Sequence, residues 1–465
     1  MPVPEPLGRA ACGTSSACPR ALPLTAAQQE VWEAWRRVPD GPAYQSAEYR
    51  EIQGPLEPRL FAQALQRTVG EASALRMRFF ATAEGPRQCA LVIEAPGKGF
   101  PLHRADLRDR PDPDAEARAW MAADLERPFP PGGPLFRYAL FRVGEAHWLW
   151  YRRFHHLVVD DFGRGLLVRR TAEVHDALAA GLRPPDSPFG RLSDLLADEA
   201  AYRASDQYEA DRDHWSATLA GRPAAPTLAG RAAHSVRTPL RDGVTVPGHL
   251  LSRLRSLTAD LNATRGEVLT AVLGLYVARS TGSADVVLGV PMPGRTGPTA
   301  LSVPGVLRNV LPLRLTVRPH DTFATLTRQV VLGLRAARRH QRYPLPDIRR
   351  DLGRSVAGPD PVGPLVEVRT SGDEVTFAGA PAVPHPLSGG PVRDLALTVR
   401  ADSGSSGLRV EYAAHPERYA AGGLRTHVAG LFDLLAECGP HTPLGVPDRT
   451  SHGGRRALSG VRARR

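Results

Sequence analysis

Two adjacent histidines, His155 and His156, followed by a carboxylate four residues after the second, Asp160, are the residues best placed to do acid–base chemistry. They lie in the stretch Trp148 to Val168, WLWYRRFHHLVVDDFGRGLLV. A neutral imidazole can take a proton from an attacking amine or hydroxyl near neutral pH. The aromatic and apolar run Trp148 to Phe154 predicts a buried strand, and Phe162, Leu166, Leu167 and Val174 recur at helical spacing beyond it. The histidines therefore sit at a strand-to-helix corner, where one ring can lean into a cleft. Neighbouring side chains on an extended corner point to different sides, so His155 is read as structural and His156 as the chemical residue. The pattern His-His-x-x-x-Asp is weak alone and takes its weight from this setting.

The chain that must position them has 465 residues, enough for two lobes with separate cores. At 42% hydrophobic and 23% charged residues, with no apolar run long enough to cross a bilayer, it reads as a globular protein without a membrane partner. Its start, MPVPEPLGRAACGTSSACPR, has no basic region before an apolar block, so a cytoplasmic location is expected. Cys12, Cys18, Cys89 and Cys438 are scattered without metal-like spacing and are read as reduced thiols; no metal site is expected. The net charge of +11 would suggest nucleic acid, but residues 451–465 alone hold five arginines and no acid. That excess belongs to a tail at 446–465 without apolar periodicity, read as disordered like residues 1–21, and no nucleic-acid partner is expected.

In chain order, Thr25 caps a helix with Gln28 as its capping-box partner and Val31, Trp32 and Trp35 as its apolar face. A strand follows at Ala47 to Ile52, then an amphipathic helix through Leu60, Phe61, Leu65 and Val69. Strands are expected at 86–94 and 134–154, the latter folded back at Gly144-Glu145. Trp148 and Trp150 read as core. The breaker-rich run Ala180 to Pro188 is the expected hinge, followed by one polar helix from Leu192 to Leu219. Thr264 and Glu267 box the start of a core helix, VVLGVPMPGR is a strand ending in a loop, and Leu408 to Tyr412 and Leu424 to Leu435 close the second lobe as strand and helix. The fold class is mixed α/β (α+β), with lobes at 22–180 and 189–445.

Six runs in order, LPLTAAQQEVW, ALRMRFF, HHLVVDDFG, LGVPMPGRTG, VPGVLRNVLPLRL and RRHQRYPLPDIRRDLG, resemble the motifs of nonribosomal peptide synthetase condensation domains. The resemblance covers about Leu22 to Ala436. It implies two chloramphenicol acetyltransferase-like lobes in a V around a central active-site tunnel, a floor loop at about 288–300, and a latch at about 365–400 reaching from the second lobe to the first. It implies a free-standing condensation enzyme that transfers an acyl or aminoacyl group from a carrier-protein thioester to an amine or alcohol of a small soluble acceptor. The products would be amides or esters in natural-product pathways, including antibiotic and enediyne ones. Phosphopantetheine would come on the partner carrier protein, with no cofactor bound by this chain.

The family's histidine of interest falls on His156, as base or as the group that holds the nucleophile in line. The family aspartate falls on Asp160, a buried ion-pair partner for an arginine. Arg295 in PMPGR is the first candidate and Arg76 in ALRMRF the second. Asn309 either orients tunnel-side groups or caps a turn. Backbone N–H groups after Asp161 are candidate oxyanion donors. The family carries glycine where this chain has Asp161. That carboxylate favours an imidazolium at His156, recognises a cation on a substrate, or points away as a helix N-terminal acid, the reading preferred here. Three alternatives stand beside condensation: an acyl-CoA-dependent acyltransferase of the same fold, an epimerising member, and a degenerate domain that only docks carrier proteins. PGVLRNVLPLR favours condensation over the first two.

Overall fold

A computed structural model describes residues 21–36, 44–90, 100–129, 132–221, 225–229, 239–354, 361–369, 374–401 and 407–445. The first part of the chain forms β1 (Leu22–Pro23), α1 (Ala26–Trp35), β2 (Gln45–Gln53), α2 (Pro58–Glu71), β3 (Met77–Thr82), β4 (Gly85–Ala90), β5 (Leu102–Asp106), α3 (Pro113–Leu125), β6 (Phe136–Gly144), β7 (His147–His155) and α4 (Asp161–Ala179). The rest forms α5 (Leu192–Arg203), α6 (Asp206–Leu219), β8 (Leu240–Thr245), α7 (Gly248–Asp260), α8 (Arg265–Thr281), β9 (Asp285–Met292), α9 (Gly297–Ser302), β10 (Asn309–Thr316), α10 (Phe323–Arg339) and α11 (Leu345–Asp351). It ends with β11 (Leu365–Arg369), β12 (Thr376–Phe377), β13 (Ala380–Gly389), β14 (Leu395–Ala401), β15 (Leu408–Ala414) and α12 (Ala421–Glu437).

Each lobe is built on a six-stranded sheet. The first has the order β12-β13-β2-β7-β6-β5 and the second β10-β9-β11-β14-β15-β8. In β7 the alternation of an extended strand sends Trp148, Trp150 and Phe154 to one buried face and Leu149 and Tyr151 to the other. Both faces are apolar because helices cover both, α2 and α4 on one side and α3 on the other. Trp148 and Trp150 are core, the latter edge-on to Phe61 at 5.2 Å. Both capping boxes form: Thr25 with Gln28 ahead of α1 and Thr264 with Glu267 ahead of α8.

Four expectations change. The latch is narrower than 365–400, because β11 and β14 belong to the second sheet; only β12 and β13 cross to the first, where β13 pairs with β2 and β12 with β13. The floor segment expected from 288 begins as strand, since β9 pairs with β10 out to Met292 opposite Asn309. The polar helix at 192–219 is two helices, interrupted at Ala204-Ser205, where Ser205 takes extended backbone and its hydroxyl bonds the Tyr202 carbonyl. Cys89 is disulfide-bonded, so the expectation of four reduced thiols fails; Cys438 is a free, buried thiol. The expected disordered segments, Cys12, Cys18 and the end of the strand at 86–94 lie outside the described residues. Among the described residues no helix is long and apolar enough to cross a membrane.

Candidate active site at the lobe junction

The last residue of β7 and the one after it carry the two histidines, and the strand alternation separates them. His155 is 3% exposed, packs edge-on against Trp35 at 4.9 Å and against Phe129 at 6.2 Å, and its Nδ1 accepts the Leu157 N–H at 3.1 Å. Burial, with the neighbouring His156, lowers its pKa to about 3. It is a neutral core ring.

His156 lies on the α4 side. Its backbone N–H donates to the Tyr44 carbonyl at 2.9 Å, while its Nε2 is buried and has no hydrogen-bond partner. Gly390, just past β13, lies against that nitrogen: with φ +89 and no side chain it fits where any Cβ would overlap Nε2. His156 thus sits under a turn contributed from the far side of the chain, a contact no local motif announced. Burial lowers its pKa to about 4. The Asp161 carboxylate opposes that shift, and the guanidiniums of Arg164, Arg308 and Arg241 reinforce it. The imidazole is neutral at pH 7, so the acid beside it does not win.

Asp160 caps α4 and is the node between the lobes. Its carboxylate accepts from the Gly163 N–H at 2.8 Å, from Arg295 Nη2 at 2.9 and 3.1 Å, from the Leu307 N–H at 2.9 Å and from the Arg308 N–H at 3.1 Å. Arg295 is fully enclosed: it also donates to the carbonyls of Ala300, Val303 (2.8 Å) and Gly305 (2.9 Å), and its guanidinium lies over Phe162 at 4.6 Å. The ion pair therefore goes to Arg295; Arg76 ends the 3-10 turn Ser73–Arg76 and has no bond to Asp160. Gly163 lets α4 approach the 304–305 backbone, where a Cβ would crowd Val159 and the Gly305 carbonyl. The N–H groups of Gly163 and Arg164 both bond Asp160, so the oxyanion donors expected after Asp161 narrow, in the first turn, to the amide of Phe162.

Asn309 holds chain. Its amide donates to the carbonyls of Gln341 (3.0 Å) and Tyr343 (2.7 Å), and its oxygen accepts the Leu345 N–H at 3.1 Å, which pins the α10–α11 connection to β10.

Asp161 is the first residue of α4 and pairs with both Arg164 and Arg369. Burial alone would raise its pKa, but Arg164, Arg369 and Arg308 hold it well below the carboxylate range. Arg164 in turn reaches Ser46 and Glu48, and Glu48 is shared with Arg152 and Arg50, which bring its pKa to about 2 against its burial. Residue spacing could not have found this network, since its members come from β2, β7, α4 and β11. Asp161→Gly is expected to cost about 1–2 kcal/mol of stability, because the Arg369 partner is 39% exposed and screened while the Arg164 partner, 9% exposed, keeps only Ser46 and Glu48, and to leave turnover similar or higher. Initial rates beside urea denaturation check this; a collapse in turnover would show that the carboxylate acts on substrate.

With this geometry in hand, the chain was compared with known proteins. A family model described as "Condensation domain" matches residues 19–367. The chain is 38% identical over 429 residues to an isonitrile lipopeptide synthase of Streptomyces coeruleorubidus, covering 92% of this chain and 29% of that protein. It is 38% identical over 413 residues to a dimodular nonribosomal peptide synthase of Bacillus subtilis, covering 89% of this chain and 17% of that protein. The chain thus spans less than a third of either relative. Among solved structures, the first condensation domain of the calcium-dependent antibiotic synthetase, bound to a substrate analogue, superposes with a TM-score of 0.82 at 32% identity, covering 92% of this chain and 98% of that one. A variant of the starter condensation domain of rhizomide synthetase in complex with C8-CoA gives 0.83 at 35% identity, covering 92% and 97%. Condensation domains are amide-bond-forming acyltransferases that work with carrier-tethered substrates. On motif order, two-lobed chloramphenicol acetyltransferase-like architecture and these similarities together, the chain belongs to the condensation domain family.

Proposed function

We propose that this chain transfers an acyl or aminoacyl group from a carrier-protein thioester to an amine or alcohol acceptor, with His156 as the general base. The observation that carries the reading is a neutral, half-buried imidazole whose buried Nε2 has no protein partner, held at the lobe junction by the Asp160–Arg295 pair. The acceptor nitrogen or oxygen attacks the thioester carbonyl carbon, and Nε2 takes its proton as the C–N or C–O bond forms. Collapse of the tetrahedral intermediate breaks the C–S bond, and the proton leaves on the thiol. The phosphopantetheine arm is part of the substrate, supplied by the carrier protein.

Because Nε2 is covered by Gly390, the 389–390 turn has to yield as substrate enters. Two adjacent glycines suit a segment that must move.

A second reading has one specific support. The rhizomide starter domain was solved with C8-CoA, which favours considering a coenzyme A thioester as donor. The deciding assay offers octanoyl and aminoacyl groups on a carrier protein and on coenzyme A, with matched amine, alcohol and amino alcohol acceptors competing, read by mass spectrometry. Product from the carrier donors in excess of the coenzyme A donors is the expected result. Product from coenzyme A alone would transfer the assignment to the second reading. Carrier binding without any product would leave a docking role. The preferred acceptor decides between amide and ester.

A further inference from the structure

Around His156 the positive charges outnumber the negative ones. Asp161 is shared by Arg164 and Arg369, Glu367 by Arg369 and Arg308, and Glu48 by Arg152, Arg50 and Arg164. Each of those guanidiniums has a carboxylate. Arg241, on β8, has none among the described residues: its one hydrogen bond is from Nη2 to the Gly390 carbonyl at 2.8 Å. A Cβ on Gly389 would also meet this guanidinium, at 3.3 Å from Nη1. The same glycine turn therefore touches Arg241 on one side and His156 Nε2 on the other.

Arg241 is exposed, so solvent reaches the donors that Gly390 leaves free. Water solvates an exposed guanidinium, and a substrate carboxylate that displaces that water gains a charge-assisted pair. Its fork of N–H groups matches a carboxylate in bidentate fashion, and only Nη2 is engaged, so the remaining donors are available.

We infer that Arg241 receives a carboxylate of the substrate beside His156, across the width of the Gly389–Gly390 turn. The site takes a compact amino acid or hydroxy acid as acceptor, or an acyl donor bearing its own carboxylate. The inference rests on the acyl-transfer reading and names a substrate class for that site.

The test uses two matched pairs on the full chain: leucine against isoamylamine as acceptors with an octanoyl donor, and suberoyl against octanoyl thioester as donors with a fixed amine. The expected result is that the intact enzyme prefers the carboxylate member of one pair by about tenfold or more in kcat/KM, the worth of a charge-assisted pairing. In Arg241→Met that preference collapses toward unity, and Arg241→Lys restores part of it. The pair that responds identifies whether acceptor or donor brings the anion. No preference in either pair, or a preference untouched by Arg241→Met, overturns the inference. If no donor supports transfer at all, the acyl-transfer reading fails. Calorimetry with leucine and with suberate then judges Arg241 separately: binding lost in Arg241→Met supports the site, and equal or absent binding overturns it.

Discussion

Replacing His156 with alanine is expected to lower acyl transfer by about 10²–10⁴-fold, the range for removing a positioned general base, while the protein stays folded. The stability half of that expectation follows from the ring's surroundings. Its Nε2 is buried without a hydrogen bond, an unfavourable arrangement for a polar atom, so alanine gives up packing but also removes a desolvated group. The pH profile supplies an independent check. With the pKa lowered from 6.5 to about 4, the base form is present from about pH 5 upward, and kcat/KM limited by His156 is expected to hold a plateau down to that range and fall below it. An inflection near 6.5 would mean that the ring is hydrated in the free enzyme. Stability moves in the same direction. Above 6.5 neither state of the chain binds the proton; as pH falls toward 4 the unfolded chain takes it up and the folded one does not, so acid destabilises the fold. Retained turnover in His156→Ala, with the folded state intact, would remove the base role.

The largest loss of stability is expected from Arg295→Met, about 3–5 kcal/mol in chemical denaturation, the usual effect of leaving one partner of a buried ion pair uncompensated. Asp160 is 4% exposed and the Arg295 side chain is fully buried, so solvent screening does not discount the pair. Three backbone N–H groups would still face the carboxylate, from Gly163, Leu307 and Arg308, but none carries a full charge. The double variant Asp160→Asn, Arg295→Met is expected to recover much of that loss, since no uncompensated charge remains. Turnover should fall in the single variant more than in the double, because the same carboxylate fixes both the start of α4 and the 305–308 backbone beside His156. A single variant that loses less than about 1 kcal/mol would show that the backbone donors alone suffice.

Much of this site was legible because its logic is local. Alternation along β7 separates His155 from His156, Asp160 caps the helix it precedes, and both capping boxes mark true helix starts. Asp161 is the first residue of α4, but it does not point away from His156, on which its charge acts, and its arginine partners do not follow from spacing, since Arg369 is 208 residues away. Asn309 had two readings, and only the positions of the Gln341 and Tyr343 carbonyls choose between them. The latch was hardest to delimit. In APAVPHPLSG three prolines remove ladder donors and obscure the alternation, so nothing in the pattern says that this strand leaves its neighbours β11 and β14 to join β2. Gly390 and Arg241 were missed for the same reason: they reach His156 only through that crossing and the β8 edge of the second sheet.

That crossing strand also governs the order in which the chain can finish. β2 lies between β7 and β13, so until residue 389 is available one whole edge of the first sheet has unpaired N–H and carbonyl groups. At about 10 residues per second a nascent chain waits on the order of half a minute between making β2 and making its last partner. The first lobe is therefore not a unit that can be cut out and kept: it remains aggregation-prone, with a sticky border, until the second has been synthesised, and the two mature together as one cooperative body.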